Sequence, residues 1–258
     1  NTTANLKNII ISGSATVGID QTGGNVTVSS SIIKNSASHG INKQNGTIAL
    51  DNTLLLNNDG TGLNNLSGTA TVRHIIAYGN NLGINNSGTI NGWNSILWGN
   101  TSQFSGSGSI MYSDIQGGGV VGTDNINSDP LFISAAAENF QVSKNSPVLE
   151  KGTSINIPLY DFTGVQPRMS GRYPDMGIFE RSEVKLPLDL SYYYTDLSGT
   201  TDNITATTSI IIKRNISGQD IAGITIVPNT LGINIFTFDL SDLVITQDMS
   251  GLPVINIP

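Results

Sequence analysis

The chain has 258 residues, 38% of them hydrophobic but only 12% charged, with a formal net charge of −7 and no cysteine. That length and apolar content suffice for a core, which excludes a disordered chain. The scattered basic residues leave no electrostatic footprint for nucleic acid or an anionic membrane, and the lack of cysteine removes disulfides, thiolate metal sites and cysteine nucleophiles.

Abundant Gly, Asn, Ser and Thr favour tight turns and short strands over helices. No signal peptide is visible at Asn1, and no apolar run of about 18 residues is long enough to span a membrane. The chain opens directly in repeat material and reads as an internal or processed fragment.

Cutting after recurring Gly-containing turns yields five blocks of 20 to 22 residues: ANLKNIIISGSATVGIDQTGG, NVTVSSSIIKNSASHGINKQNG, TIALDNTLLLNNDGTGLNNLSG, TATVRHIIAYGNNLGINNSG and TINGWNSILWGNTSQFSGSG. Three columns recur through them. The first is Val26, Ile48, Ala70, Ile90 and Ile110; the second is Ile11, Ile33, Leu55, Ile76 and Ile96; the third is Ile19, Ile41, Leu63, Ile84 and Phe104. The blocks hold short period-two stretches followed, in the first four, by a Gly-apolar pair, a pattern of three strands rather than an amphipathic helix. A repeat of this length without helix predicts parallel β-helix coils over 1–128, rising about 4.8 Å per coil. Aliphatic residues point inward, and Gly and Asn occupy the corners.

The pattern dissolves after SIMYSDIQGG. Residues 129–183 carry isolated apolar pairs, prolines and local charge, and are expected to cap the coils, since an open coil edge invites pairing with another chain. From 184 to 258, stretches such as NITATTSIIIKRNI and INIFTFDLSDLVIT read as strands joined by turns. The predicted fold class is all-β: a right-handed parallel β-helix followed by a small antiparallel β-sandwich-like domain.

The elements NSILWGN (94–100), YSDIQGG (112–118), INSDPLF (126–132), FQVSKNSPVLEKGT (140–153) and DFTGVQPRMSGRYPDMGIFE (161–180) cover about a third of the chain. Together they resemble the choice-of-anchor Q domain proteins, β-helix surface proteins related by fold to the pectin-lyase-like superfamily. The family's closing motif usually runs Pro-Asp-Ile-Gly-Ala-Tyr-Glu; Met176, Ile178 and Phe179 depart from it here. The resemblance implies a secreted, surface-held protein, commonly bacterial, and supplies no enzymatic activity.

Parallel β-helices often carry polysaccharide lyases and hydrolases, which need paired carboxylates, or an ion with a nearby base. Asp20, Asp51, Asp59, Asp114 and Asp124 fall at different phases of the repeat, and Arg73 and His74 have no acid column beside them. No catalytic or metal-binding residue is therefore assigned, and no cofactor is expected. His39, in SHG, reads as a corner residue. Asp161, Arg168, Arg172, Asp175 and Glu180 form the densest charge group, read as a structural cap in which carboxylates accept backbone N–H groups. Tyr78 and Trp98 share one coil phase with Trp93 nearby; they serve either as a platform for sugar rings or as core packing. Ice binding would demand a regular outward Thr column, whereas Thr27, Ala49, Thr71 and Asn91 interrupt one.

The functional expectation is a non-catalytic extracellular or cell-surface stalk or adhesin module. Its partners would be extracellular glycans or other surface proteins, with no nucleic acid and no membrane insertion. A polysaccharide lyase or glycoside hydrolase, and a structural subunit of an extracellular assembly, stand as alternatives.

Overall fold

The computed structural model describes residues 2–181, together with the backbone of three short strands beyond them. The chain divides into two units, Asn1–Arg181 and Ser182–Pro258. In the second, β18 (Ile212–Lys213), β19 (Val244–Gln247) and β20 (Pro253–Val254) pair antiparallel in that order. The remainder of the β-sandwich-like domain expected over 184–258 lies outside the described residues. Among the described residues no helix is long and apolar enough to cross a membrane.

The first unit is a parallel β-helix with three walls. Wall one stacks β1 (Thr3–Lys7), the first halves of β4 (Asn25–Lys34) and β6 (Thr47–Leu56), then β8 (Thr69–Arg73), β11 (Thr89–Trp93) and β14 (Ser109–Met111). Wall two stacks β2 (Ile10–Ser12), the second halves of β4 and β6, then β9 (Ile76–Tyr78), β12 (Ile96–Trp98) and β15 (Asp114–Ile115). Wall three stacks β3 (Ile19–Gln21), β5 (Ile41–Lys43), β7 (Thr61–Asn65), β10 (Leu82–Asn86) and β13 (Ser102–Gly106). In the second and third coils, walls one and two form one continuous ten-residue strand, so those coils have two strands rather than three.

The third column, Ile19 to Phe104, pairs residue for residue. So does Val26, Ile48, Ala70 and Ile90, but Ile110 pairs with Gly92 and belongs to the neighbouring file of Val28, Leu50 and Val72. The second column also needs correction. Ile11, Ile33 and Leu55 continue through Ala77, Leu97 and Ile115 inside the solenoid, whereas Ile76 and Ile96 pair with Ile10, Ile32 and Leu54 one residue earlier. That second file points out of the solenoid. A shift of one residue reverses the face of a strand, and wall two is apolar on both faces, so no polar alternation marks which file is inner.

From Leu54 onward the outward file is buried because the chain after the coils returns along wall two. Leu54, Leu56, Ile76 and Ile96 pack against Phe140, Val148, Met176 and Ile178 in a second core, separate from the solenoid interior. The returning segment holds β16 (Phe132–Ser134), a 3-10 turn at Ala135–Ala137 and β17 (Asn139–Val142), followed by irregular chain to Arg181. It lies on the side of the solenoid rather than across its end. The exposed edge of the last coil is met instead by residues 121–126: Ile110 N–H donates to Val121 O and Tyr112 N–H to Thr123 O, while Asp114 bridges Ile126.

The corners show why the repeat is rich in Gly and Asn. Between walls one and two, Asn8, Ser30, Asn52, His74, Asn94 and Tyr112 all have φ between 46° and 56°. Asn visits this left-handed region more readily than most residues. Between walls two and three, Asn58, Asn80 and Asn100 form a ladder: Asn58 N–H donates to Asn80 Oδ1 at 3.0 Å and Asn80 N–H to Asn100 Oδ1 at 3.0 Å. The Asn80 amide also reaches Leu55 O at 3.0 Å. The Gly of each Gly-apolar pair has a different cause. A Cβ on Gly40, Gly62 or Gly83 would lie 2.6 to 2.8 Å from a backbone oxygen of the next coil, so stacking leaves no room for a side chain.

Replacing Asn80 with Ala leaves the Asn58 N–H and Leu55 carbonyl buried without these partners, and should cost about 2–4 kcal/mol in urea unfolding. The exposed neighbour variant Asn81→Ala should stay within about 0.5 kcal/mol of the parent.

Candidate functional site

The three aromatic candidates divide between two walls. Tyr78 and Trp98 are in register on the outward face of wall two, both half-buried. The ring of Tyr78 meets Phe140 edge-on at 5.1 Å and Phe132 at 6.0 Å, which places it in the second core. Trp93 lies across the left-handed corner, on wall one, in register with Arg73 and Met111. Its indole Nε1 is buried without a hydrogen-bond partner. The same outward file brings Asp51 beside Arg73, where the two side chains form a bidentate ion pair. The sequence reading gave Arg73 no acidic neighbour because the two residues lie a full coil apart. His39 is a corner residue whose Nδ1 accepts Thr61 N–H at 3.0 Å.

Four of the five residues in the dense charge group converge beneath the returning segment, and Arg172 stays outside. Asp161, Arg168, Asp175 and Glu180 are buried, whereas Arg172 lies over the Tyr173 ring at 5.3 Å. Asp161 accepts N–H groups from Thr163 at 2.9 Å and Glu180 at 3.1 Å. Asp175 accepts from Glu150 at 2.7 Å and Arg181 at 2.8 Å, and Glu180 from Asp175 at 3.1 Å. Arg168 donates to Asn52 Oδ1 and to Ile178 O, and its Nη1 stands 3.7 Å from Glu180 Oε2. Burial pushes the Asp175 and Glu180 carboxyls up and the Arg168 guanidinium down to about 10. Burial outweighs the attraction between Arg168 and these acids, the usual result when charged groups leave water.

The left-handed corner column supplies the other half of this docking. Asn52 Nδ2 donates to Tyr160 O at 2.9 Å, and Asn94 brackets Thr153, donating to its carbonyl and accepting its N–H, each at 2.7 Å. His74 is fully buried, with Nδ1 3.2 Å from Gly177 O and Nε2 3.0 Å from Asn94 Nδ2. Burial and the nearby Arg168 hold its pKa well below the usual imidazole value, so the ring is neutral, donating through Nδ1 and accepting through Nε2.

An open groove of about 580 Å³ lies where the last coil meets the returning segment. Tyr112, Asp124, Asn125 and Ile126 line one side, and residues 150–154 with Tyr173 line the other. The Asp124 carboxylate beside the Tyr112 hydroxyl raises the phenol pKa. The second side is fixed from below: Gly152 N–H donates to Pro174 O, Thr153 is held by Asn94, and Glu150 N–H by Asp175. Sequence reasoning missed this groove because Tyr112 and Tyr173 are remote in the chain. The usable signal was the phase of Tyr112, which continues the corner column of Asn52, His74 and Asn94. Among the described residues, no group of three or more His, Asp or Glu side chains is arranged to hold a metal ion.

Asp114 ends the outward file of wall two. Its Oδ1 accepts Ser128 N–H at 3.2 Å while Oδ2 is buried without a partner, and burial pushes the carboxyl up to about 7. A carboxyl with a raised folded-state pKa contributes stability that is complete below its unfolded value, near 3.9, and lost as pH rises through about 7. Asp114→Asn should therefore match the parent in thermal unfolding at about pH 4 and exceed it by at least about 1 kcal/mol at pH 8. No known protein family, curated protein or solved structure matches the chain.

Proposed function

We propose that the chain is a non-catalytic secreted or cell-surface β-helix protein, a rigid stalk or adhesin module that binds extracellular glycans. The observation that carries this reading is how the acids of the C-terminal charge group are used. Asp161, Asp175 and Glu180 each accept backbone N–H groups of the returning segment, inside a buried cluster. An acid–base pair acting on a glycosidic bond has to face the substrate, with room for it between the carboxyls. These acids face the backbone instead.

Two further features support the reading. The motifs from NSILWGN to the closing DMGIFE, which resemble choice-of-anchor Q domain proteins, supply the last coils and the returning segment itself. That resemblance implies secretion and surface attachment. A solenoid with a one-dimensional core and hydrogen-bonded corners also holds its shape without a cofactor, which suits a spacer.

The test is incubation of the purified chain with a panel of neutral and acidic polysaccharides, measuring both retention on the immobilised polymers and release of chain ends. Retention without new reducing ends or unsaturated uronate ends is expected. Product that accumulates in proportion to protein would overturn the reading in favour of a hydrolase or lyase.

A further inference from the structure

We propose that the groove between the last coil and the returning segment is a binding site for an uncharged oligosaccharide. This assignment rests on the reading of the chain as a glycan-binding surface module, and it moves the site away from Tyr78 and Trp98.

The lining has the chemistry a sugar requires. Tyr112 and Tyr173 contribute aromatic rings for the apolar faces of pyranoses, and each ring carries a hydroxyl at its edge. Asp124 and Glu150 contribute carboxylates, which accept hydrogen bonds without donating and so orient vicinal hydroxyls. The hydroxyls of Thr153 and Ser154 both donate and accept. The volume, about 580 Å³, lies within the range of about 300–1,000 Å³ usual for small-molecule sites.

Charge selects among glycans. Asp124 and Glu150 offset Lys151 and the Arg172 guanidinium over the Tyr173 ring, so the groove gives an anion no net positive pocket, and a chain of net charge −7 disfavours uronates and sulfated or phosphorylated sugars. The site is also organised before ligand arrives. The Asn125 amide and the backbone bonds of residues 121–126 tie the first side to the last coil, and Asn94 and Asp175 hold residues 150–153 from beneath. A groove whose walls are set in advance loses little conformational freedom on binding.

The test applies the whole chain to an array of neutral and acidic glycans, then measures the best neutral oligosaccharide by titration calorimetry for the parent, Tyr173→Ala, Tyr112→Phe and Trp98→Ala. Each variant's Tm is compared with the parent's. Tyr173→Ala should weaken binding roughly tenfold. Tyr112→Phe keeps the ring and loses the hydroxyl, and should weaken it roughly threefold to tenfold. Trp98→Ala should leave affinity unchanged. Unaltered affinity in both tyrosine variants, or loss confined to Trp98→Ala, would overturn the groove assignment while leaving a glycan-binding module in place. Preference for acidic glycans would overturn the charge argument. Retention of no glycan, or of peptides alone, would remove the glycan-binding reading together with the groove.

Discussion

Everything in the first unit depends on satisfying backbone polar groups at the corner between walls one and two. There the chain turns through a left-handed residue in all six coils, and Asn8, Asn52 and Asn94 are of a type that favours it. Ser30, His74 and Tyr112 hold the same conformation, which costs L-residues roughly 1–2 kcal/mol each. Hydrogen bonds to the adjacent coil offset that cost. Ile75 N–H donates to Ser95 Oγ, Ser95 N–H to Ser113 Oγ and Ser113 N–H to Asn125 Oδ1, so these three corners are completed by the chain that follows them in the stack. A corner of this kind is stable only inside a stack, which couples local conformation to the register of all three walls.

The same geometry decides where the chain goes after the coils. A left-handed corner turns its side chain outward, so the column presents polar groups at regular intervals along one edge of wall two. The returning segment has little regular structure of its own and brings unpaired carbonyl and N–H groups with it. Asn52, His74 and Asn94 meet these at Tyr160, Gly177 and Thr153, while the buried acids meet N–H groups from within the segment. The apolar outward file between them supplies the hydrophobic area. Coverage fades toward the first coil: Ile96 and Ile76 are at most 1% exposed, whereas Ile10, in the same file, is 67% exposed.

Coil length, three-wall architecture and the inward file of wall three were legible from sequence because Gly-apolar pairs mark one corner in four of the five blocks. Close approach of neighbouring backbones at Gly40, Gly62 and Gly83 makes that signal physical rather than statistical. The inner file of wall two was not legible: stretches such as LLL and SILW are apolar on both faces, and periodicity carries no parity where both faces are buried. Of the charge group, proximity in the chain revealed Asp161, Arg168, Asp175 and Glu180 together, but could not reveal that Asn52, more than a hundred residues earlier, is the partner of Arg168. The phase of Tyr112 marks only one side of the groove, since its two sides meet only after the segment has folded back.

That origin bears on why a recognition site belongs at the seam rather than on the walls. Wall residues are fixed by the repeat, and any side chain there must suit its equivalents one coil above and below. The seam is the place where the repeat has ended and the backbone is still held rigidly, by Asn94 and Asp175 on one side and by the last coil on the other. Side chains at Asp124, Lys151, Ser154 and Tyr173 can therefore vary without disturbing any file of the core, while the scaffold keeps them in place. Tyr112 belongs to both regimes. Its backbone completes the corner column and its side chain lines the groove, so the last turn of the structural repeat also forms one wall of the groove.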